Sequence, residues 1–228
     1  MNIKVPYVRA PRDFGWCGAA SATMVLKWYG ERISQKRVAK EVPVRKNGVD
    51  VDNLCGYFLR KGYGVTVKFW LPGMRPFRRG LSGGKDNPKI AKELFVGMST
   101  DKDIRTRIIC SRLDKFVSLG GIVSLEPPLL KDLQKELSLR RPVIFEINSN
   151  WLRKTGSVQA SHLVVVKGLN TFSKRGRNNL PRLIFHDPGD CPNISVSADE
   201  FLYACHIGYG FAIFIKPARP DRSGKPRS

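Results

Sequence analysis

Three residues, far apart in the chain, have the types that nucleophilic catalysis by a thiol needs. Cys17 lies in RDFGWCGAASATMVLKWYG, just ahead of an apolar run of helical character. A helix N-terminus favours a thiolate, the reactive form of cysteine, because its unsatisfied N–H groups and positive dipole end stabilise negative charge. Gly15 and Gly18 on either side permit a tight entry and leave the sulfur accessible. His162, one of only 3 histidines, opens the strand-like run HLVVVKGLN, from which its ring can face a cleft while the apolar residues after it hold the sheet. Asp187 ends RLIFHDPG, ahead of a turn at Pro188 and Gly189. If the two strands pair, Asp187 accepts a hydrogen bond from the imidazole and sets its tautomer, completing a set of nucleophile, base and orienter. Each residue also has a plainer reading: Cys17 as helix core, His162 as a satisfied strand histidine, Asp187 as part of a turn. Their order, with the cysteine near the start and the histidine far downstream, weighs more than any one of them.

Those side chains need elements to hold them. VPYV near the start reads as an edge strand, since Pro6 has no N–H to give a ladder. A helix from Gly18 to Tyr29 follows, stopped by Gly30. Ser34 caps a second helix running to Glu41. Asp50 or Asp52 caps a third, with Leu54, Tyr57 and Phe58 on one face and Gly62 at its end. VTVKFWL alternates as a strand. Between Pro72 and Pro128 the pattern weakens: a loop-like stretch precedes two mixed segments, 88–98 and 101–120. LLKDLQKELSLRR is an amphipathic helix with Leu129, Leu130, Leu133 and Leu137 on one stripe. PVIFEIN, HLVVVKGLN and RLIFHDPG are three strands. SADEFLYACH is a helix with Ser197 and Glu200 in a capping-box pattern, and GYGFAIFIKP closes the sheet. The polar tail, 218–228, is expected to be disordered. Helices first and consecutive strands later predict an α+β class with a mostly antiparallel sheet. The expected organisation is one domain over 1–217. A helical lobe at about 14–72 and a sheet lobe at about 129–217 meet along a cleft, and 73–128 reads as an insertion.

The 228 residues, 42% of them hydrophobic, suffice for a sizeable core. No apolar run approaches the ~20 residues of a membrane span, and MNIKVPYVRAPRDF lacks the core of a signal peptide. The 5 cysteines include no CxxC pair, which opposes a disulfide framework and suits a reducing compartment. A cytoplasmic location is expected, with specialised export as the alternative. The excess of 40 Lys and Arg over 19 Asp and Glu, a formal charge of +21, fits either a solvated basic surface or one that meets nucleic acid, acidic protein or anionic lipid. His186, Cys191, Cys205 and His206 lack the short spacings of zinc ligands, so neither a metal nor another cofactor is expected. His186 neighbours Asp187 on the strand and should point to the opposite face. Trp16 and Trp151 are candidates to line the cleft, with core packing as the other reading.

The motifs VPYV…WCGAASATMVLKWYG, GVDVDNLCGYFLRKGYGV, LLKDLQKELSLRRPVIFEIN, SHLVVVKGLN, FHDPG and ADEFLYACHIGYGFAIFI occur in the order found in the C39-like cysteine peptidases. These are papain-like proteins related to the bacteriocin-processing, double-glycine peptidase domain, and the chain resembles them over most of 5–72 and 129–216. The resemblance implies a papain-like fold with its site between lobes, Cys17 as nucleophile, His162 as general base and Asp187 as orienter. It breaks down at the oxyanion glutamine that the family usually carries a few residues before the cysteine. Pro11 and Arg12 stand there, and Arg12 is the replacement candidate. Losing such a donor costs about a hundredfold or more in rate. Residues 73–128 have no counterpart in the family, and no P-loop or exporter membrane domain accompanies the motifs. The implied activity is hydrolysis of a peptide or isopeptide bond through a Cys17 thioester, on a peptide or protein substrate whose acidity would suit the charge. Acyl transfer or deamidation by the same triad fits as well. So does a weak or inactive peptidase-fold module that binds nucleic acid or an acidic partner.

Overall fold

The computed structural model describes residues 1–11, 15–45, 48–69, 111–112, 115–124, 126–153, 161–171, 180–207 and 210–217. The apolar run after Cys17 forms α1 (Cys17–Trp28), in which every residue from Gly18 to Leu26 is buried. A helix apolar on all sides needs cover on all sides, and α1 is held against the sheet and against α2 and α3. Gly30, at φ 90°, turns the chain where a side chain would be strained. Ser34 caps α2 (Gln35–Glu41), its hydroxyl accepting from the Arg37 N–H. α3 (Val51–Arg60) buries Leu54, Tyr57 and Phe58, the predicted face.

The strands β1 (Gly64–Lys68), β2 (Ile122–Ser124), β3 (Val143–Asn148), β4 (Ser161–Asn170), β5 (Arg182–His186), β6 (Ile194–Ser197) and β7 (Ala212–Lys216) form one sheet. Its order is β2-β1-β7-β3-β4-β5-β6. Only β1 and β2 pair in parallel; the other neighbours are antiparallel. The protein is therefore of the α+β class with a mostly antiparallel sheet, as the order of elements predicts. The helices α4 (Leu130–Ser138), α5 (Ser149–Arg153) and α6 (Ala198–His206) interrupt the strand series. Ser197 and Glu200 form the expected cap of α6, and Phe201 on that helix packs on Phe145 and Phe185 of the sheet, with ring centroids 5.2 Å away in both cases.

Three features differ from the sequence reading. VPYV is not a strand: only Asn2 bridges Gly168, where β4 shifts register. Pro6 has no N–H, and the segment is pinned by single bonds instead, such as Ile3 N–H to the Lys167 carbonyl at 2.9 Å. The short elements α5 and β6 escape the sequence because neither carries an apolar period long enough to read. Residues 122–124, inside the expected insertion, join the main sheet as β2. The mixed segment 88–98, most of 101–120 and the tail 218–228 lie outside the described residues.

Candidate active site

Cys17 is the first residue of α1, with Trp16 as N-cap. Trp16 offers no side-chain acceptor, so the first-turn N–H groups remain available to a negative charge at the helix start. The chain reaches this point by two close approaches that only glycine allows. Gly15 has φ 98°, and a Cβ there would collide with the Arg45 carbonyl oxygen. At Gly18 a Cβ would sit 3.0 Å from Cβ of Val49 and 3.2 Å from Leu163 of β4. Ser21, one turn on, donates to the Leu163 carbonyl at 3.2 Å and ties α1 to β4.

His162 enters from the start of β4. That strand runs antiparallel to β5 with Val165 opposite His186, so the turn after β5 lies beside the start of β4. Asp187 follows β5 directly, and its Oδ1 is 2.6 Å from Nε2 of His162. The same oxygen accepts the Gly189 N–H at 2.8 Å, which orients the carboxylate. The other side of the imidazole hydrogen-bonds Cys17. Since Nε2 is committed to Asp187, Nδ1 is the nitrogen toward the thiol. The structure thus brings Cys17, His162 and Asp187 together from one helix and two strand ends.

The electrostatics of the cluster follow from these contacts. Burial pushes the Cys17 thiol up, but the His162 hydrogen bond, its charge, and the Leu163 and Gly18 N–H groups outweigh it and hold the thiol below its ordinary value. Burial pushes His162 down, and the hydrogen bonds to Asp187 and Cys17 outweigh that and lift it to about 9. Both shifts favour the thiolate–imidazolium pair. Elsewhere burial acts alone or with a like charge: the Cys55 and Cys205 thiols are pushed well above the ordinary value.

The remaining candidates separate. Arg12 lies outside the described residues. Trp16 is half-buried and packs against the core. Trp151, in α5, is 49% exposed, and its ring rests on Tyr203 of α6 at 4.8 Å. His186 points away from the cluster, as strand alternation requires: its Nε2 donates to the Val5 carbonyl at 2.9 Å and its Nδ1 accepts the Asn193 N–H at 3.2 Å. Burial, with the charge of Lys167, lowers its pKa and keeps it neutral. Among the described residues no group of His, Cys, Asp or Glu is arranged to hold a metal ion.

Sequence reasoning missed three supports. Tyr7 donates to the Asp187 carbonyl at 3.1 Å, and the Ala10 N–H bonds Pro188 at 2.7 Å, so the N-terminal arm braces the Asp187 turn. No local pattern announces such a contact. A Cβ on Gly189 would sit 3.3 Å from the His162 ring, a tight contact, and 3.4 Å from Asp187 Oδ1. The Asp-Pro-Gly turn did signal that glycine. Arg45 and Val49, which pack against Gly15 and Gly18, were not read as part of the site; Gly48 to Asp50 entered only as the lead into α3.

No protein-family model matches the chain, and no curated protein matches its sequence. Solved structures similar to it include three peptidases. One is the peptidase domain of Streptococcus ComA, a bifunctional ABC transporter of a quorum-sensing pathway: TM-score 0.48, 16% identity, covering 94% of this chain and 99% of that one. A double-glycine-motif protease from an AMS/PCAT transporter, in complex with its leader peptide, has TM-score 0.46, 17% identity and coverage of 95% and 94%. A C39-like peptidase from Bacillus anthracis has TM-score 0.45, 14% identity and coverage of 96% and 98%. These neighbours are peptidase domains of the C39 type. No described helix is long and apolar enough to cross a membrane.

Proposed function

We propose that the protein is a cysteine peptidase that hydrolyses a peptide or isopeptide bond, with Cys17 as nucleophile, His162 as acid and base, and Asp187 as the group that orients the imidazole. The observation that carries this reading is the 2.6 Å contact of His162 Nε2 with Asp187, on a ring whose other nitrogen faces Cys17 at a helix start. In the proposed cycle the Cys17 thiolate attacks the substrate carbonyl carbon. The tetrahedral oxyanion is stabilised by N–H groups at the start of α1. As the C–N bond breaks, the imidazolium Nδ1 gives its proton to the leaving amine, and a thioester remains. Neutral His162 then takes a proton from water, whose hydroxide attacks the thioester and releases the acid and the thiolate. Asp187 holds the ring throughout and supports its charged form. An unpaired nucleophilic thiol requires reducing conditions, for which the cytoplasm is the natural location.

Acyl transfer and deamidation share every step up to the thioester. A second reading, a binding module for nucleic acid or an acidic partner, draws on the charge of +21. One experiment separates them. A proteome-derived peptide library is incubated with the protein, and new termini are read by mass spectrometry in the presence of an added labelled amine. Hydrolysis gives unlabelled new C-termini with wild type and none with Cys17→Ala or His162→Ala. Labelled termini would mean transfer, conversion of Gln or Asn side chains to acids without new termini would mean deamidation, and none of these with wild type would leave the binding module.

A further inference from the structure

The turn from Arg45 to Asp50 is the part of the molecule that packs on both sides of Cys17 in sequence. The Arg45 carbonyl lies against Gly15, and Val49 lies against Gly18. The turn is closed by a pair of hydrogen bonds between Arg45 and Gly48, at 2.9 and 3.0 Å. At its end the two oxygens of the Asp50 carboxylate are divided between two guanidiniums. Arg45 Nη1 is 3.4 Å from Oδ2, and Arg112 Nη1 is 2.9 Å from Oδ1. Asp50 stands at the N-cap position of α3 yet makes no side-chain cap bond; its carboxylate serves the arginines instead.

One carboxylate is enough to clasp the turn with one arginine. Two arginines share the one carboxylate, so the cluster keeps a net positive charge next to the residues that pack against Gly15 and Gly18. The Asp50 side chain is only 18% exposed, whereas Arg45 is 67% exposed and Arg112 is 38% exposed, so the guanidiniums keep donors toward solvent. Arg112, which lies between β1 and β2 in sequence, reaches Asp50 ahead of α3. Guanidinium forks match carboxylates in geometry, and a partly desolvated fork discriminates an anionic side chain from its neutral amide.

We propose that Arg45 and Arg112, held by Asp50, form a subsite that selects a substrate with an Asp or Glu side chain on the stretch bound against the Arg45–Asp50 turn, close to the bond that Cys17 attacks. The proposal rests on the reading of Cys17 and His162 given above and adds a substrate class to it: peptides acidic near the scissile bond. Arg45 and Arg112 act by binding and positioning, not by chemistry. The overall charge gathers acidic chains to the molecule, and this pair sets which residue of such a chain lies next to the site.

The test uses peptide chloromethyl ketones, which alkylate a working cysteine nucleophile: the thiolate displaces chloride and forms a thioether. Matched pairs carry Glu or Gln at one of the three positions before the ketone and Ala at the others. Labelling rates of Cys17 are read by peptide mass spectrometry on the full chain. Wild type should prefer Glu over Gln by about tenfold at one position, as expected for a charge-assisted hydrogen bond. In Arg45→Gln/Asp50→Asn/Arg112→Gln, which neutralises the whole cluster, that ratio should fall to near one. The charge-keeping Arg45→Lys/Arg112→Lys should retain part of it. Lys131→Gln/Lys135→Gln, on exposed residues of α4, lowers the net charge by two, one more than the neutralised cluster does, and should leave the ratio intact. Circular dichroism checks that each variant is folded. A Glu preference that is absent, or that survives in the neutralised variant but disappears with the Lys131 and Lys135 changes, overturns the subsite while leaving Cys17 and His162 in their roles. Failure of every probe to label Cys17, with slow iodoacetamide labelling as well, overturns the reading of the site itself and the subsite with it.

Discussion

His162 stands between two groups that act on its charge in the same direction, against burial. Asp187 and the Cys17 sulfur both favour the imidazolium, and together they overcome burial to lift its pKa to about 9. The sign is definite: a raised histidine pKa means that the charged ring persists through neutral pH and is lost only as pH rises through about 9. The lowered Cys17 pKa means that the thiolate is already present below the ordinary thiol range. Activity on the proposed reading therefore rises at acid pH as Cys17 ionises and falls on the alkaline side as His162 loses its proton. Asp187→Asn isolates one contribution. The amide can still accept from Nε2 but carries no charge, so the alkaline limb should move toward neutral pH and turnover should drop by about tenfold or more. A pH–rate profile of the variant with an unmoved alkaline limb would remove Asp187 from the account. At this scale much was readable in advance. Cys17, His162 and Asp187 were singled out by type and order. Tyr7 was not, because a hydroxyl that reaches the Asp187 carbonyl from 180 residues away leaves no mark near either residue.

At the scale of elements, the site depends on how closely α1 approaches β4 and the Arg45–Asp50 turn. Gly18 measures that approach. A methyl group there would lie 3.0 and 3.1 Å from two Val49 carbons and 3.2 Å from Leu163 Cδ1, so two side chains, on opposite sides of the contact, would have to give way together. Gly18→Ala should destabilise the protein by about 1–3 kcal/mol, the usual cost of overpacking a tight contact, and should slow Cys17 alkylation as the helix start shifts. Urea denaturation and the alkylation rate read the two effects. Unchanged values in both would mean that α1 can slide without cost to the site. Most elements were legible because their periods are long: α1, α4 and α6 show helical spacing, and β3, β4 and β7 show apolar runs bounded by turns. The N-terminal arm misled because VPYV has strand composition, yet the backbone bonds to β4 lie ahead of it, in a reciprocal pair between Met1 and Leu169 and one bond from Ile3 to Lys167, while Val5 and Tyr7 meet His186 and Asp187 through side chains. The strand β6 was hidden by its polar alternation and by Ser197, which ends the strand and caps α6 at once.

Over the whole molecule, the sheet and the helix start bring a cysteine from one end of the chain to a histidine and an aspartate from the other. The α+β class and the antiparallel majority followed from element order. The parallel pairing of β1 with β2 did not, since it depends on a connection without clear periodicity. The charge was the loudest signal in the sequence and the least specific; among the described residues, Arg45 and Arg112 share the Asp50 carboxylate. The central claim is that this long-range arrangement makes Cys17 a coupled nucleophile, and it is tested most directly by its iodoacetamide alkylation rate against pH, read by peptide mass spectrometry in wild type and His162→Ala. Buried Cys55 and Cys205, whose thiols are pushed well up, serve as references within the same molecule. The account predicts fast labelling of Cys17 at pH values well below the ordinary thiol range, far ahead of both references, and a loss of that advantage in His162→Ala. Labelling that begins only near the ordinary thiol pKa, equal in both proteins, would contradict it.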